Sequence, residues 1–476
     1  FSRHVMPITQ LDPADKDYWY IYGLPYNLSS FMAKHPGGSG ILAASRGRGR
    51  SEDLAPLFES YHAFANVKSI KATLSEYRVK DVGVEVHGVV DGLPVAADYD
   101  EETFGSFRPG GAYDEMRRRV RAHFAAKSGK RVDDPMSMGY SVTSSVKAGL
   151  LWYGKAILQV VAWAFCMWHM WTAESLSVAT LAGIGAGCFN VQLGFCVFHD
   201  TSHFAADRRN GWFNDLLSHL WCGIAMWDSA TWRLHHVIRH HAYTGSDTLD
   251  PDVRNFQPML RKSSALAKGK YLRVSEHWLG TWAAVFLTVF PGMYVGSILA
   301  YARWMQRGFM WNTLYYGKDA SDALSSRLEL TMKTAMVVAH VYFARTLPLL
   351  AFLIACNICY AVCIVPDHDS ADTARNLATA RREKGVLDWG EQQVVASGNF
   401  FKGRTQYLFA MAMGGINLQI EHHLFPSMAH THLMEVAPIV RSVCKERGIP
   451  YVHAGGVVEA WNSFVQLLIN VAMDRH

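Results

Sequence analysis

Long apolar runs separated by short polar breaks dominate the middle of the chain. Residues 150–172 and 176–198 are each long enough to cross a ~30 Å hydrocarbon core, and the few residues between them predict a helical hairpin. Further spans are expected over 279–302 and 334–365. Lys147 and Lys155 flank the start of the first span, while its turn holds only Glu174, so residue 150 and the end of the second span are expected on the cytoplasmic side. Arg303, Arg307, Lys318 and Arg327 fall awkwardly on the loop between the third and fourth spans, yet an even number of crossings returns His368 to the side of His199. Residues 208–232 carry Trp212, Trp221, Trp227 and Trp232 among too few apolar residues for a crossing, and read as interfacial helices.

The N-terminal flank has a different rhythm. An aromatic and β-branched run, Tyr18 to Tyr22, precedes a Gly-Leu-Pro turn, and Ser29 or Ser30 is placed to cap a short helix; residues 1–80 predict a small soluble α+β unit. Residues 81–111, rich in Gly, Val, Asp and Glu, read as a linker. Tyr113 to Phe124, with Arg117, Arg118, Arg119 and Arg121, reads as a basic amphipathic surface helix at the membrane. The fold class is therefore multidomain: a small α+β unit, then an all-α integral membrane domain over 112–476 with four transmembrane helices and a histidine-rich cytoplasmic cap.

Composition agrees with this picture. Half of the 476 residues are hydrophobic and 18% are charged, which is apolar for a soluble enzyme. A net charge of +5 is no nucleic-acid signature but suits a basic surface facing anionic lipid. The eight cysteines lie mostly in apolar stretches, and the CxxC of Cys356 and Cys359 fits a packed membrane helix better than zinc or redox work, so the chemistry is expected to face a reducing compartment. The first residue is Phe1, not an initiator Met, which leaves the true N-terminus open, and nothing near it resembles a cleavable signal peptide.

Histidine supplies the candidate chemistry. His199 and His203 close the second span at i and i+4. In Trp232–His241, a helical reading puts His236 and His240 one turn apart with His241 beside them. Gln419, His422 and His423 repeat the pattern at i, i+3 and i+4. Each cluster alone also suits a wet loop. Three at membrane ends on one side exceed the four ligands of a single zinc ion and point to a two-metal site, with zinc, copper and iron all open. Near the N-terminus, His35 in His-Pro-Gly-Gly and His62 in an aromatic setting fit either axial haem ligation or an ordinary turn residue and half-buried helix residue.

Two resemblances narrow these readings. Asn27 to Gly38, with Phe58 to His62, is similar to a cytochrome b5 domain, which implies haem b held by His35 and His62. The span between them, through Ser45 to Ser51, is longer than that family's usual spacing, and the extra loop is expected at the rim. His-Asp-Thr-Ser-His (199–203), His-Val-Ile-Arg-His-His (236–241) and Gln-Ile-Glu-His-His (419–423) resemble the three boxes of membrane fatty acyl desaturases. Gln419 in place of a histidine, with the fused haem domain, is similar to the front-end desaturases.

That resemblance implies an O2-dependent oxidoreductase that inserts a cis double bond into a polyunsaturated acyl chain, carried on CoA or phospholipid, on the carboxyl side of an existing one. It implies two non-haem irons held by His199, His203, His236, His240, His241, His368, Gln419, His422 and His423. It also implies electrons from NADH through a cytochrome b5 reductase, and a multi-pass home in the endoplasmic reticulum with both metal sites facing the cytoplasm. His235 stays outside the ligand set, as do His430 and His432. Asp200, Glu421 and Asn399 are candidates to orient ligands. A sphingoid-base desaturase, an acyl hydroxylase or acetylenase, and a non-enzymatic haem-bearing membrane protein with structural zinc remain as alternatives. Bond position, chain length, acyl carrier and oligomeric state are left open.

Overall fold

The computed structural model describes residues 16–80, 83–129, 134, 136–207, 211–253, 261–266 and 326–473; the span expected over 279–302 lies outside them. The N-terminal unit opens with the antiparallel pair β1 (Trp19–Ile21) and β2 (Leu24–Tyr26). Their turn puts Tyr22 and Gly23 at positive φ, and the carboxylate of Asp53 accepts both backbone N–H groups. Helices α1 (Ser39–Ser45), α2 (Ala55–Tyr61) and α3 (Val67–Glu76) complete it, with Asn66 capping α3 through Ser69 N–H.

The expected linker contains a hairpin, β3 (Val86–Val90) and β4 (Leu93–Ala96), turned by Asp91-Gly92 with both residues at positive φ. Asp-Gly between apolar residues is a strong hairpin signal that the Gly-rich composition masks. The expected membrane-surface helix is likewise interior. In α4 (Ala112–Lys127), Met116, Val120 and Phe124 are fully buried, and so are two of the arginines. Arg117 pairs with Glu59 at 2.9 Å and Asp91 at 3.0 Å, while Arg121 donates to the carbonyls of Ala63 and Ala65. Paired in this way, the charges are tolerable inside. One hydrophobic core consequently runs from Trp19 and Tyr26 through Tyr113 to Trp389, Phe425 and Val440, joining the two halves of the chain.

Among the described residues, three helices are long and apolar enough to cross a membrane: Thr143–Thr172, Leu176–Ser202 and Thr346–Lys384. Helix α5 (Leu150–Thr172) coincides with the expected first span and exposes Leu158, Val161, Phe165 and Trp168, as lipid contact requires. Helix α6 (Leu176–Leu193), capped by Ser175, runs on through a π-helical turn, Gly194–His199, to Ser202. The interfacial helix expected before Trp232 is α7 (Gly211–Ala225). The expected single span over 334–365 is instead two helices, α8 (Arg327–Phe343) and α9 (Thr346–Ile364). Thirty-odd residues exceed the roughly 20 that one crossing takes. Arg345 caps the break, donating to the carbonyls of Ala173 and Glu174, and Pro348 sits in the first turn of α9, where it costs no helix bond.

Arg345 thus ties the α8–α9 turn to the α5–α6 turn. At the opposite end, Trp152 Nε1 reaches Asp200 at 2.8 Å. His199, His203 and His368 therefore share one end of the bundle. Beyond it lie α10 (Ala371–Lys384), α11 (Trp389–Val395), β5 (Gly398–Phe400), α12 (Gln419–Leu424), α13 (Leu433–Arg447), β6 (Val452–Ala454) parallel to β5, and α14 (Val457–Ala472).

Candidate metal and haem sites

The second histidine box is wound as a π-helix, Arg233–His240, and this decides which rings meet. In an α-helix His236 and His240 would share a face. Here His236 pairs with His241, five residues on, their Nε2 atoms 3.1 Å apart, and His240 is sent to a different group. The first group gathers His199, His203, His236, His241 and His422, all buried, with their ligand atoms within 4.8 Å of one another. His199 Nε2 lies 3.1 Å from His236 Nε2, and His422 Nε2 lies 3.1 Å from His241 Nε2. The second group holds His240, His368 and His423. Gln419 faces it, with Nε2 2.9 Å from His368 Nε2, and its Oε1 has no partner; the amide turned over offers that oxygen to the site.

These residues fit metal ions. Two nitrogens about 2.1 Å from one ion and at right angles lie about 3 Å apart, close to the separations found. The backs of several rings are engaged, which leaves Nε2 free to point inward. Nδ1 of His240 meets Asp250 at 3.0 Å, that of His368 donates to Ala396 O at 3.1 Å, and that of His423 donates to Gln393 Oε1 at 3.1 Å. Nε2 of His203 is buried and unpartnered, as a ligand atom facing an ion would be. Burial first, then neighbouring imidazoles, holds His236, His241, His422 and His423 far below the ordinary histidine range, so all four are neutral. Burial also disfavours charge on His240, but Asp252 and Asp250 outweigh it and bring that imidazole up to about 9, a field that equally favours a metal cation in place of the proton.

The N-terminal unit holds a separate pair of histidines, His35 and His62. Gly38 adopts φ 88°, and a Cβ on Gly37 would meet His35 Cε1 at 2.7 Å, so the His-Pro-Gly-Gly turn closes on the His35 ring only with glycine there. His35 Nδ1 donates to Gly38 O at 3.1 Å, and His62 Nδ1 to Phe58 O at 2.7 Å. The ring centroids are 6.3 Å apart, about what two imidazoles bound on opposite sides of one iron require. Burial, with His35 nearby, lowers His62 to about 4, so it is neutral and ready to ligate. The longer loop expected at the rim leaves Ser51 exposed, while Arg48 and the following Glu52 turn in toward the second box. Glu52 accepts from Arg48 at 3.2 Å and takes Arg239, which stands between His236 and His240, at 2.6 and 3.1 Å.

Other expected residues have different roles. His235 pairs with Asp252 at 2.5 Å and joins neither imidazole group. Asp200 holds Trp152 and His430, and Glu421 accepts from Asn399 and Tyr451, so these contacts brace the scaffold rather than a ligand ring. His432 pairs with Glu435. The ring-orienting groups that sequence reasoning missed are Asp250, Gln393, Thr244 and Tyr61. Only the Asp250-Pro251-Asp252 turn, soon after the second box, carried a signal for one of them.

Comparison with known proteins adds the family. Residues 173–455 match the fatty acid desaturase family, and residues 8–83 match the cytochrome b5-like heme/steroid binding domain. The chain is 28% identical to the chloroplastic acyl-lipid (7-3)-desaturase of Chlamydomonas reinhardtii, over 94% of this chain and 79% of that one. It is 24% identical to the acyl-lipid (8-3)-desaturase of Physcomitrium patens, over 95% and 86%. It is also 24% identical to Delta(5) fatty acid desaturase A of Dictyostelium discoideum, over 97% and 92%. The chain belongs to the fatty acid desaturase family, as a membrane oxidoreductase with the front-end layout in which a cytochrome b5-like haem domain is fused ahead of the desaturase domain.

Proposed function

We propose that the protein uses O2 to insert a cis double bond into a polyunsaturated acyl chain, on the carboxyl side of an existing one. Saturated –CH2–CH2– becomes –CH=CH–, and the two hydrogens, with two further electrons and two protons, reduce O2 to two waters. The observation that carries this reading is the convergence of five and three imidazoles at one end of an apolar helix bundle, against the haem cleft. Two irons held there, and a haem between His35 and His62, supply the oxygen and one-electron chemistry that side chains lack. His199, His203, His236, His241 and His422 form one ligand set; His240, His368, His423 and Gln419 form the other, which has fewer donors. Asp250 and Gln393 hold their rings in the ligating tautomer, and the buried walls keep water out.

Residues 1–80 then act as the electron-receiving unit and 112–476 as the desaturase unit. Electrons come from NADH through a cytochrome b5 reductase, and the substrate is an acyl-CoA or phospholipid-bound chain. The membrane is that of the endoplasmic reticulum, with both metal sites on the cytoplasmic face. The relatives' names, which include (7-3), (8-3) and Delta(5), support insertion toward the carboxyl end. The test is expression in yeast fed a panel of polyunsaturated acids, with products read by gas chromatography and mass spectrometry. A product two hydrogens lighter, with its new bond on the carboxyl side, is expected. A hydroxylated or acetylenic product, a sphingoid-base product, or zinc without non-haem iron in the purified protein would overturn the reading.

A further inference from the structure

Tyr61 and His62 are consecutive at the end of α2, and they face different sites. His62 points to His35 across the haem cleft, whereas the Tyr61 hydroxyl lies 2.5 Å from Nδ1 of His203, a member of the five-histidine group. The Tyr61 and His203 rings lie nearly end to end through this hydrogen bond, with centroids 6.0 Å apart and planes 20° from parallel. With Nε2 of His203 turned to the metal group, its Nδ1–H donates to the Tyr61 oxygen.

The contact belongs to a rigid interface. Glu52 and Arg239 form a buried ion pair, Tyr243 donates to Asp53 O at 2.9 Å, and Gly211 N–H donates to Pro36 O at 3.1 Å. At Gly211 a Cβ would meet Gly37 C at 2.5 Å, so the His-Pro-Gly-Gly turn lies directly on the start of α7. The haem cleft is therefore held at one fixed position against the histidine cluster.

We propose that Tyr61 is the positioning residue that couples the haem to the five-histidine metal group, giving a continuous path from the His62 backbone through the Tyr61 ring and hydroxyl to His203. This rests on the desaturase reading above. Each transfer moves one electron: ferrous haem becomes ferric, and one ferric ion of the five-histidine group becomes ferrous. The Nδ1 proton of His203 stays in its hydrogen bond throughout. The five-histidine group is thus the point of electron entry, and the group of His240, His368 and His423 receives electrons through it.

The experiment uses the full-length holoprotein with both metal sites ferric and without oxygen. A flash-generated flavin semiquinone, a one-electron donor, reduces the haem, and haem absorbance then reports the electron leaving for the metal group. Wild-type protein should show a reoxidation phase that iron-stripped protein lacks. Tyr61→Phe, which keeps the ring and deletes only the hydroxyl, should slow that phase by about tenfold or more. Its haem spectrum, non-haem iron content and rate of haem oxidation by ferricyanide should stay at wild-type values. An unchanged reoxidation phase would overturn the proposal. So would loss of haem or iron from the variant, or slowed oxidation by ferricyanide, because Tyr61 would then merely support a site. Absence of the phase from wild-type protein would instead remove the underlying reading of a haem that feeds the metal pair.

Discussion

His240 is gripped from behind, with Nδ1 3.0 Å from Asp250 while Nε2 faces His368. Asp250 is held in turn, accepting from the N–H groups of Gly245 and Asp252. Removing such an orienting carboxylate typically costs 10–100-fold in metal affinity or activity, and about that loss is expected for Asp250→Ala. Iron titration and turnover would measure it, with the haem spectrum unchanged. A second buried carboxylate, Glu59, stabilises rather than catalyses. Burial raises its pKa, but Lys71 at 2.5 Å and Arg117 at 2.9 Å outweigh burial and bring it down to about 2. Because the folded value lies below the unfolded value of 4.5, its stabilisation is complete above about 4.5 and is lost as pH falls toward 2. Glu59→Gln should flatten the acid limb of the unfolding midpoint, followed by haem absorbance. It should also cost about 1–3 kcal/mol, since Lys71 and Arg117 lose one buried carboxylate and fall back on Asp91. At this scale the three histidine boxes were legible because their spacing is local. Gln393 and Tyr61 were not, because each meets its ring only through a contact distant in sequence.

Two helices approach closely enough to be sensitive to one methyl group. On α6, Gly183 and Gly187 face the backbone of α9, where a Cβ would stand 2.5 Å from Pro348 O and 2.5 Å from Phe352 O. Small residues at this spacing allow such close packing in a membrane, where hydrophobic exclusion cannot draw helices together. Gly187→Val should cost about 1–3 kcal/mol by overpacking, read as a lower thermal midpoint in detergent. Since α9 leads directly to His368, iron should be lost before haem on heating the variant. The glycines and the apolar run were both visible in the sequence, but the break at Arg345 was not, because it is set by acceptors in another turn. The π-helical winding of 233–240 was also hidden. It is imposed by where the partners of His236 and His240 stand, and the sequence alone favoured the α register.

The domain order was legible as two units joined by a linker, and the joint is where that reading parted from the structure. A stretch rich in Gly and Asp resembles a tether when each residue is considered alone. In the fold, Asp91 meets Lys71 and Arg117, and α4 is buried between the units with its arginines paired. The haem unit is therefore docked, and this has a kinetic consequence. A domain that swings on a tether and finds its partner by charge is slowed by salt, because exposed charges are screened beyond about 10 Å at 0.1 M. Here the charges that join the units, Glu52 with Arg239, are each at least 95% buried by side chain and lie within contact distance. Haem reoxidation after flash reduction should accordingly hold its rate from about 0.05 to 0.5 M salt. Glu52→Gln, which leaves Arg48 and Arg239 without their shared carboxylate, should weaken the docking by several kcal/mol and make the rate fall with salt. A wild-type rate that already falls steeply over this range would mean that the haem unit docks transiently, and the buried pair would then describe only one of its positions.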